Sequence, residues 1–270
     1  MKRAQAQTTS GFTLVELLVV MAIIGLLIAL ALPALNSALT SGRAAASMSN
    51  LRELAAANLT YTSEHDGYYC PAQDVNNLIR WHGGRTTTGA GDDAAFDPAK
   101  GYLSPYLGTD GRVKECPLFA NMVTGSSSFE NGSGGYGYNE VYIGGTPTAP
   151  WPLNYQPTCV SRVPRPSQTI MFTTTALAKV NGLQEYPFCE PYQFVDPNGN
   201  LDGAATASVH FRDHGRALVA WCDGHVTAEL PAQLDGVNLY GGNSTQDNIG
   251  WFGPSDNNGY WNPAYTGAGP

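Results

Sequence analysis

Charge is scarce in this chain. Of 270 residues only 13% are Asp, Glu, Lys or Arg, and Lys and Arg number 14 against 22 Asp and Glu. With a net charge of −8 and no Lys/Arg cluster, it lacks the cationic surface that neutralises phosphates, which excludes a nucleic-acid partner. An acidic surface suits an exported protein or one that holds cations. The five cysteines, Cys70, Cys116, Cys159, Cys189 and Cys222, contain no CxxC pair, so structural zinc has no ligand spacing to use. G-x-S-x-G, P-loop, HExxH and paired-carboxylate patterns are all missing, and the chain is expected not to be an enzyme. The Gly-rich stretch "GSGGYGYN" leads into a strand pattern, so it is no phosphate cradle. No internal repeat is present, and no A-x-A site follows the apolar run near the start, as it would in an ordinary cleaved signal peptide.

That apolar run is the dominant feature. From Phe12 to Leu32 every residue is apolar or small except Thr13 and Glu16. As a helix it spans about 30 Å, the hydrocarbon thickness of a bilayer. A carboxylate at that depth costs roughly 2.5–3.5 kcal/mol on insertion scales, so Glu16 requires a compensating partner. Ahead of the run lie Lys2, Arg3 and Gly11. A short basic leader, a Gly, an aromatic residue, Thr-Leu, a Glu and then an apolar helix resemble the signal of type IV prepilins and type II secretion pseudopilins.

The resemblance implies that a prepilin peptidase cuts between Gly11 and Phe12 and methylates the new amine. Residues 1–11 are then a leader, and Glu16 is the fifth residue of the mature chain. In the family this glutamate pairs with the N-terminal amine of a neighbouring subunit. An α-amino group is cationic below a pKa of about 8, and pairing removes the liability of an isolated buried charge. Glu16 also stands in the first helical turn, where the helix dipole favours an anion. Gly25 and Pro33 fall where such helices loosen. The implied partners are copies of itself in a helical filament, the prepilin peptidase and an inner-membrane assembly platform. The implied location is the inner membrane (a single pass through residues 12–35), then a periplasmic pseudopilus or a cell-surface filament.

Helical texture continues beyond Pro33. Leu51, Leu54, Ala55, Asn58 and Leu59 follow i, i+3, i+4 spacing, Asn50 can cap locally, and Asp66-Gly67 ends the pattern. A helix over residues 12–66 would be roughly 80 Å long. From Gly67 to about residue 230 the pattern is short β runs between Gly/Pro/Asn clusters. "KECPLF", "YGYNEVYIGG", "QTIMFTTTAL" and "RALVAWC" are the best strands, the last joined to "HVTAEL" through a type I′ turn at Asp223-Gly224. Residues 231–270 form a polar, aromatic tail expected to pack on the head or on a neighbour. The fold class expected is α+β and pilin-like, with a long N-terminal helix on an antiparallel head with long loops. The landmarks "NLRELAAANLTYTSEHDGYYCP", "ECP", "GYGYNEVYIGG", "VPRPSQTIMF" and "DHGRALVAWCDGHV" resemble, in order, a branch of pseudopilin-like proteins of planctomycete-type bacteria. That branch is marked by a processing-associated His-x9-Asp-Gly motif. His214 and Asp223 enclose eight residues instead of nine, so either the loop is one residue shorter or Asp213 takes the His position.

Three constellations bear on ligands. In "DPNGNLDG", Asp196, Asn198, Asn200 and Asp202 place oxygens at alternate positions, as in loops that wrap Ca²⁺. Asn/Asp/Gly turns have the same composition; no cofactor is required, and Ca²⁺ is the one the loop could take. His210, Asp213, His214, Asp223 and His225 read either as a transition-metal site or as packing around a hairpin tip. Trp251, Phe252, Tyr260, Trp261 and Tyr265 could stack on sugars or wrap their own head. This gives an alternative function, a membrane-tethered or minor tip subunit that binds surface polysaccharide through aromatic, Asn-rich loops. In an exported head the five cysteines are disulfide candidates whose pairing the sequence leaves open. Asn58, Asn131 and Asn243 open N-glycosylation patterns.

Overall fold

The computed structural model describes residues 13–85, 96–120, 122, 131–148, 154–236, 238 and 240–267. They divide into two units, Met1–Gly42 and Arg43–Pro270. The helix α1 (Leu14–Glu64) contributes to each.

In the first unit α1 is a bare apolar surface. Its large aliphatic side chains from Leu14 to Leu39 are all exposed, Leu14 by 80%. Pro33 lies inside the helix and offers no N–H to the carbonyl of Ala29, so the ladder lacks a hydrogen bond there.

In the second unit α1 is amphipathic. Ser47, Leu51, Leu54, Ala55, Asn58 and Thr62 are buried at the three- and four-residue spacing of one helix face. Leu51 and Leu54 enter the main core, each contributing on the order of 1.5–3 kcal/mol by burial. Asn50, expected as a local cap, instead sits mid-helix and donates across to the Glu115 carbonyl (3.2 Å) and the Tyr136 hydroxyl (3.3 Å). The helix stops where anticipated. Asp66 and Gly67 turn left-handed (φ 52° and 81°), and Gly67 N–H returns to the Thr62 carbonyl at 2.9 Å.

The head is built on a four-stranded antiparallel sheet: β1 (Tyr136–Tyr138), β2 (Ile170–Thr174), β3 (Ala217–Trp221) and β4 (Val226–Glu229), in the order β4-β3-β2-β1. Val219 opposes Thr173, which in turn opposes Gly137. Every residue of β2 and β3 is buried, which explains why both read as continuous apolar runs rather than alternating ones. Tyr138 joins the sheet to α1, accepting from Asn58 Nδ2 (2.9 Å) and donating to the Cys70 carbonyl (3.0 Å). Phe172 stacks on Tyr138 at 4.7 Å and meets Trp81 at 5.2 Å.

Several strand expectations are corrected. "KECPLF" is a turn: Phe119 and Ala120 N–H both return to the Cys116 carbonyl (2.8 and 3.2 Å), and Pro117 has no N–H to give a ladder. "YGYNEVYIGG" is a strand only to Tyr138, then a single π-turn, Glu140–Gly144. Gly144 N–H closes it on the Asn139 carbonyl at 2.9 Å. "QTIMFTTTAL" breaks after Thr174 and resumes as a separate hairpin of Leu177–Lys179 with Gly182–Gln184.

The β3–β4 connection is a three-residue loop, not a type I′ turn. Trp221 N–H bonds the His225 carbonyl (3.0 Å) and Gly224 N–H the Trp221 carbonyl (2.9 Å). Gly224 has φ +90° while Asp223 is not left-handed, the pattern of a type I turn followed by a glycine bulge. The pair of left-handed residues that a type I′ turn demands occurs instead at His214 and Gly215 (φ 50° and 76°). They lie between Asp213 and Arg216, which exchange both backbone hydrogen bonds.

The tail contributes to the core. Trp251, Phe252 and Trp261 are buried and belong to the core. Trp261 Nε1 donates to the Cys189 carbonyl (3.0 Å), while its own carbonyl accepts from Asn139 Nδ2 (2.9 Å).

Candidate assembly site

Gly11 and Phe12 lie outside the described residues. Immediately after them, Thr13 and Glu16 form a closed reciprocal pair. Thr13 N–H and Thr13 Oγ1 both donate to Glu16 Oε2 at 2.8 Å, and Glu16 N–H donates to Thr13 Oγ1 at 3.2 Å. This is a capping box: the N-cap hydroxyl and the carboxylate three residues into the helix each satisfy an otherwise unpaired backbone N–H of the first turn. The signal was present in the sequence as Thr-Leu-Val-Glu.

The carboxylate therefore has a defined position. It sits within the first turn of a helix whose next turns carry only apolar side chains. An 18-residue window of α1 has a mean hydropathy of 2.9, and none of it is buried inside the chain. Such a helix is long and apolar enough to cross a membrane. Gly25 has open space around its Cα, and with Pro33 it marks the weakest part of the helical ladder. The arrangement offers one anion at the tip of a surface that water would not tolerate.

The other candidates are not brought together. His210 is buried beside Arg212, whose Nη1 lies 3.0 Å from His210 Nδ1, and burial, then that guanidinium, holds its pKa well below the usual imidazole value. His214 is on the exposed turn described above. His225 belongs to the β3–β4 loop, where it stacks on Trp221 (5.7 Å) and contacts Asp223 Oδ1 at 2.5 Å. Among the described residues no group of three or more His, Cys, Asp or Glu is arranged to hold a metal ion.

The 196–202 loop closes a hairpin between Gln193–Val195 and Leu201–Ala204. Asp196 Oδ1 accepts the backbone N–H groups of Asn198 and Asn200, both at 2.8 Å, and Asn200 Nδ2 donates to Oδ2 at 3.1 Å. The Asn200 bonds, led by its side chain, hold the Asp196 carboxyl below its usual pKa. Asp202 lies in the following strand opposite Phe194. The Asn side-chain amides thus face the carboxylate as donors, the geometry of an Asx-capped turn.

All five cysteines are free thiols. Cys70, Cys189 and Cys222 are buried, and burial pushes their pKa values up. Cys116 is buried against Ser47 Oγ at 3.2 Å. Cys159 is partly exposed; a hydrogen bond from Ser161 Oγ (3.2 Å) is the largest cause lowering its pKa. The tail aromatics named for sugar binding are mostly interior, with only Tyr260 partly exposed. Asn58 is fully buried with both amide atoms bonded, so its glycosylation pattern is inaccessible in the folded head.

No curated protein and no solved structure matches this chain. Residues 7–32 match the model of the prokaryotic N-terminal methylation motif. The chain therefore carries the signal of type IV pilin and pseudopilin precursors, at the point where the capping box and the bare apolar helix begin.

Proposed function

We propose that this protein is a structural subunit of a pilus- or pseudopilus-like filament, periplasmic or extracellular. A type II secretion or type IV pilus-type machine assembles it after prepilin-peptidase cleavage between Gly11 and Phe12. The observation that carries this reading is the methylation motif at residues 7–32 continuing into the apolar part of α1, Leu14 to Leu39, whose one carboxylate is Glu16. The order of landmarks as far as Val226 supports the planctomycete-type branch.

The mechanism follows from the charges. Before cleavage, the helix is held in lipid and the capping box satisfies Glu16 locally. Cleavage creates a cationic amine at Phe12. A neighbour's Glu16 can then leave its Thr13 bonds for a full countercharge, which fixes register between subunits as their apolar surfaces leave the lipid. Repeated head to tail with a rotation that does not close, such a contact gives a filament.

Glu16→Ala tests this directly. Cleavage should remain, read as the N-terminal mass of the mature chain, while sheared filaments fall to background by electron microscopy. Normal filament yield from this variant would overturn the mechanism. The polysaccharide-binding alternative draws little from the geometry, because Trp251, Phe252 and Trp261 are core residues.

A further inference from the structure

The head carries a groove of about 720 Å³ that is open among the described residues. One wall is the chain leaving β4, with Leu230 (59% exposed) and Pro231. The other wall is Pro254 with the rings of Tyr260 and Tyr265. Its rim is acidic on balance. Glu229 and Asp256 stand against Arg216, whose Nη1 is tied to the Ala228 carbonyl at 3.2 Å, and Tyr265 Oη holds Asp256 Oδ1 at 3.2 Å.

The same head presents a projection of matching chemistry. At the tip of the Leu177–Lys179/Gly182–Gln184 hairpin, Val180 is 76% exposed, more than any other large apolar side chain among the described residues of the head. Beside it lies Tyr240, 45% exposed, with Lys179 Nζ 6.0 Å from its ring centroid. Tip and groove thus pair apolar with apolar and a cation with carboxylates, on two different surfaces of one chain.

We infer that the groove between Leu230 and Tyr260 receives the Val180 hairpin tip of a second copy, with Lys179 set against Glu229 and Asp256. This inference rests on the filament reading above and adds which head surfaces meet. Because tip and groove are different patches, the contact is heterologous, and within the open filament proposed above it passes from copy to copy. The strands β2 and β4 both run antiparallel to β3, so the hairpin after β2 and the groove after β4 are at the same end of the sheet. The contact therefore joins features from one end of the sheet. It is also small against the roughly 1,600 Å² of a stable pairwise interface, so it acts only where the filament holds copies side by side.

The test is oxidative cross-linking of the full chain in assembling cells, in a Cys159→Ser background because the other native thiols are buried. Val180→Cys with Leu230→Cys on one chain should give a ladder of multimers, and each single variant none. Filaments without a ladder would overturn the contact alone. Dimers from a single variant would mean a symmetric contact and would also overturn it. Absence of both filaments and ladder would overturn the filament reading and this contact with it. As an independent arm, Lys179→Glu should cut filament yield several-fold, and adding Glu229→Lys should restore it. Failure of that rescue counts against the charge pairing.

Discussion

Asn58 is one of the residues through which α1 holds the head, and its removal has a calculable cost. Its Nδ2 donates to Tyr138 Oη and its Oδ1 accepts the Cys70 N–H, both at 2.9 Å and all fully buried. Asn58→Ala leaves the Cys70 N–H without a partner, about 1–3 kcal/mol, and removes the bond to Tyr138, about 0.5–1.5 kcal/mol. Together these come to roughly 2–4 kcal/mol, and for a head of this size about 2–4 °C of Tm per kcal/mol gives a fall on the order of 4–16 °C. Tyr138→Phe removes the same shared bond and also the one to the Cys70 carbonyl. The two changes should therefore couple by about 0.5–1.5 kcal/mol in a double-mutant cycle. Urea melts of the full chain in detergent, followed by tryptophan fluorescence, provide the measurement. A loss below about 1 kcal/mol for Asn58→Ala, or strict additivity with Tyr138→Phe, would refute the claim that this pair fastens helix to sheet.

Thr13→Val removes the hydroxyl of the capping box, at about 0.5–2 kcal/mol of helix-start stability. It should lower subunit accumulation in membranes, whereas Thr13→Ser should not; equal levels by immunoblot would refute the local role of the box. His82 is buried with neither ring nitrogen hydrogen-bonded, and burial, then Arg80, holds its pKa well below the usual value. Below about pH 6.5 the unfolded chain takes up a proton that the folded head refuses, so stability falls as pH drops, by up to about 1.4 kcal/mol per unit for each such histidine. Replacing His82 with Phe should flatten this slope in urea melts between pH 7 and 5, leaving the share due to His210; an unchanged slope would contradict it. Among the thiols, only Cys159 should react quickly with a maleimide in the native state, the other four becoming reactive on unfolding, as mass spectrometry would show.

Much of the architecture was readable because strong periodicity leaves few choices. The helix runs Leu14–Glu64 against an expected 12–66, since the apolar run, the Leu51/Leu54 face and Asp66-Gly67 all agree. The buried strands of "RALVAWC" and "TIMFTT" were legible as short apolar runs. Turn chemistry was less so. Asp-Gly and His-Gly both offer a left-handed glycine; the Asp213–Arg216 pairing makes the His-Gly turn two residues long, and the register of β3 against β4 makes the Asp-Gly loop three. "KECPLF" and "NEVYIGG" are apolar enough for strands. Their backbone groups are instead satisfied within turns, and their side chains are buried by tertiary packing that no local pattern encodes. The histidines were grouped by proximity in sequence, but a buried strand end and two separate turns hold them apart. In the assembly segment the motif was plain, whereas the Thr13 partner of Glu16 required reading its spacing as a helix cap.

The bond from Asn139 to the Trp261 carbonyl joins residues 122 positions apart and sets an order of events during synthesis. The apolar half of α1 leaves the ribosome first and can enter lipid while the sheet strands are still being made. The core cannot close until Trp251, Phe252 and Trp261 have followed them out. For that interval the head is unfinished, with a half-lined sheet. Completion of the head therefore waits on the last part of the described chain, whatever the apolar half of α1 has already done.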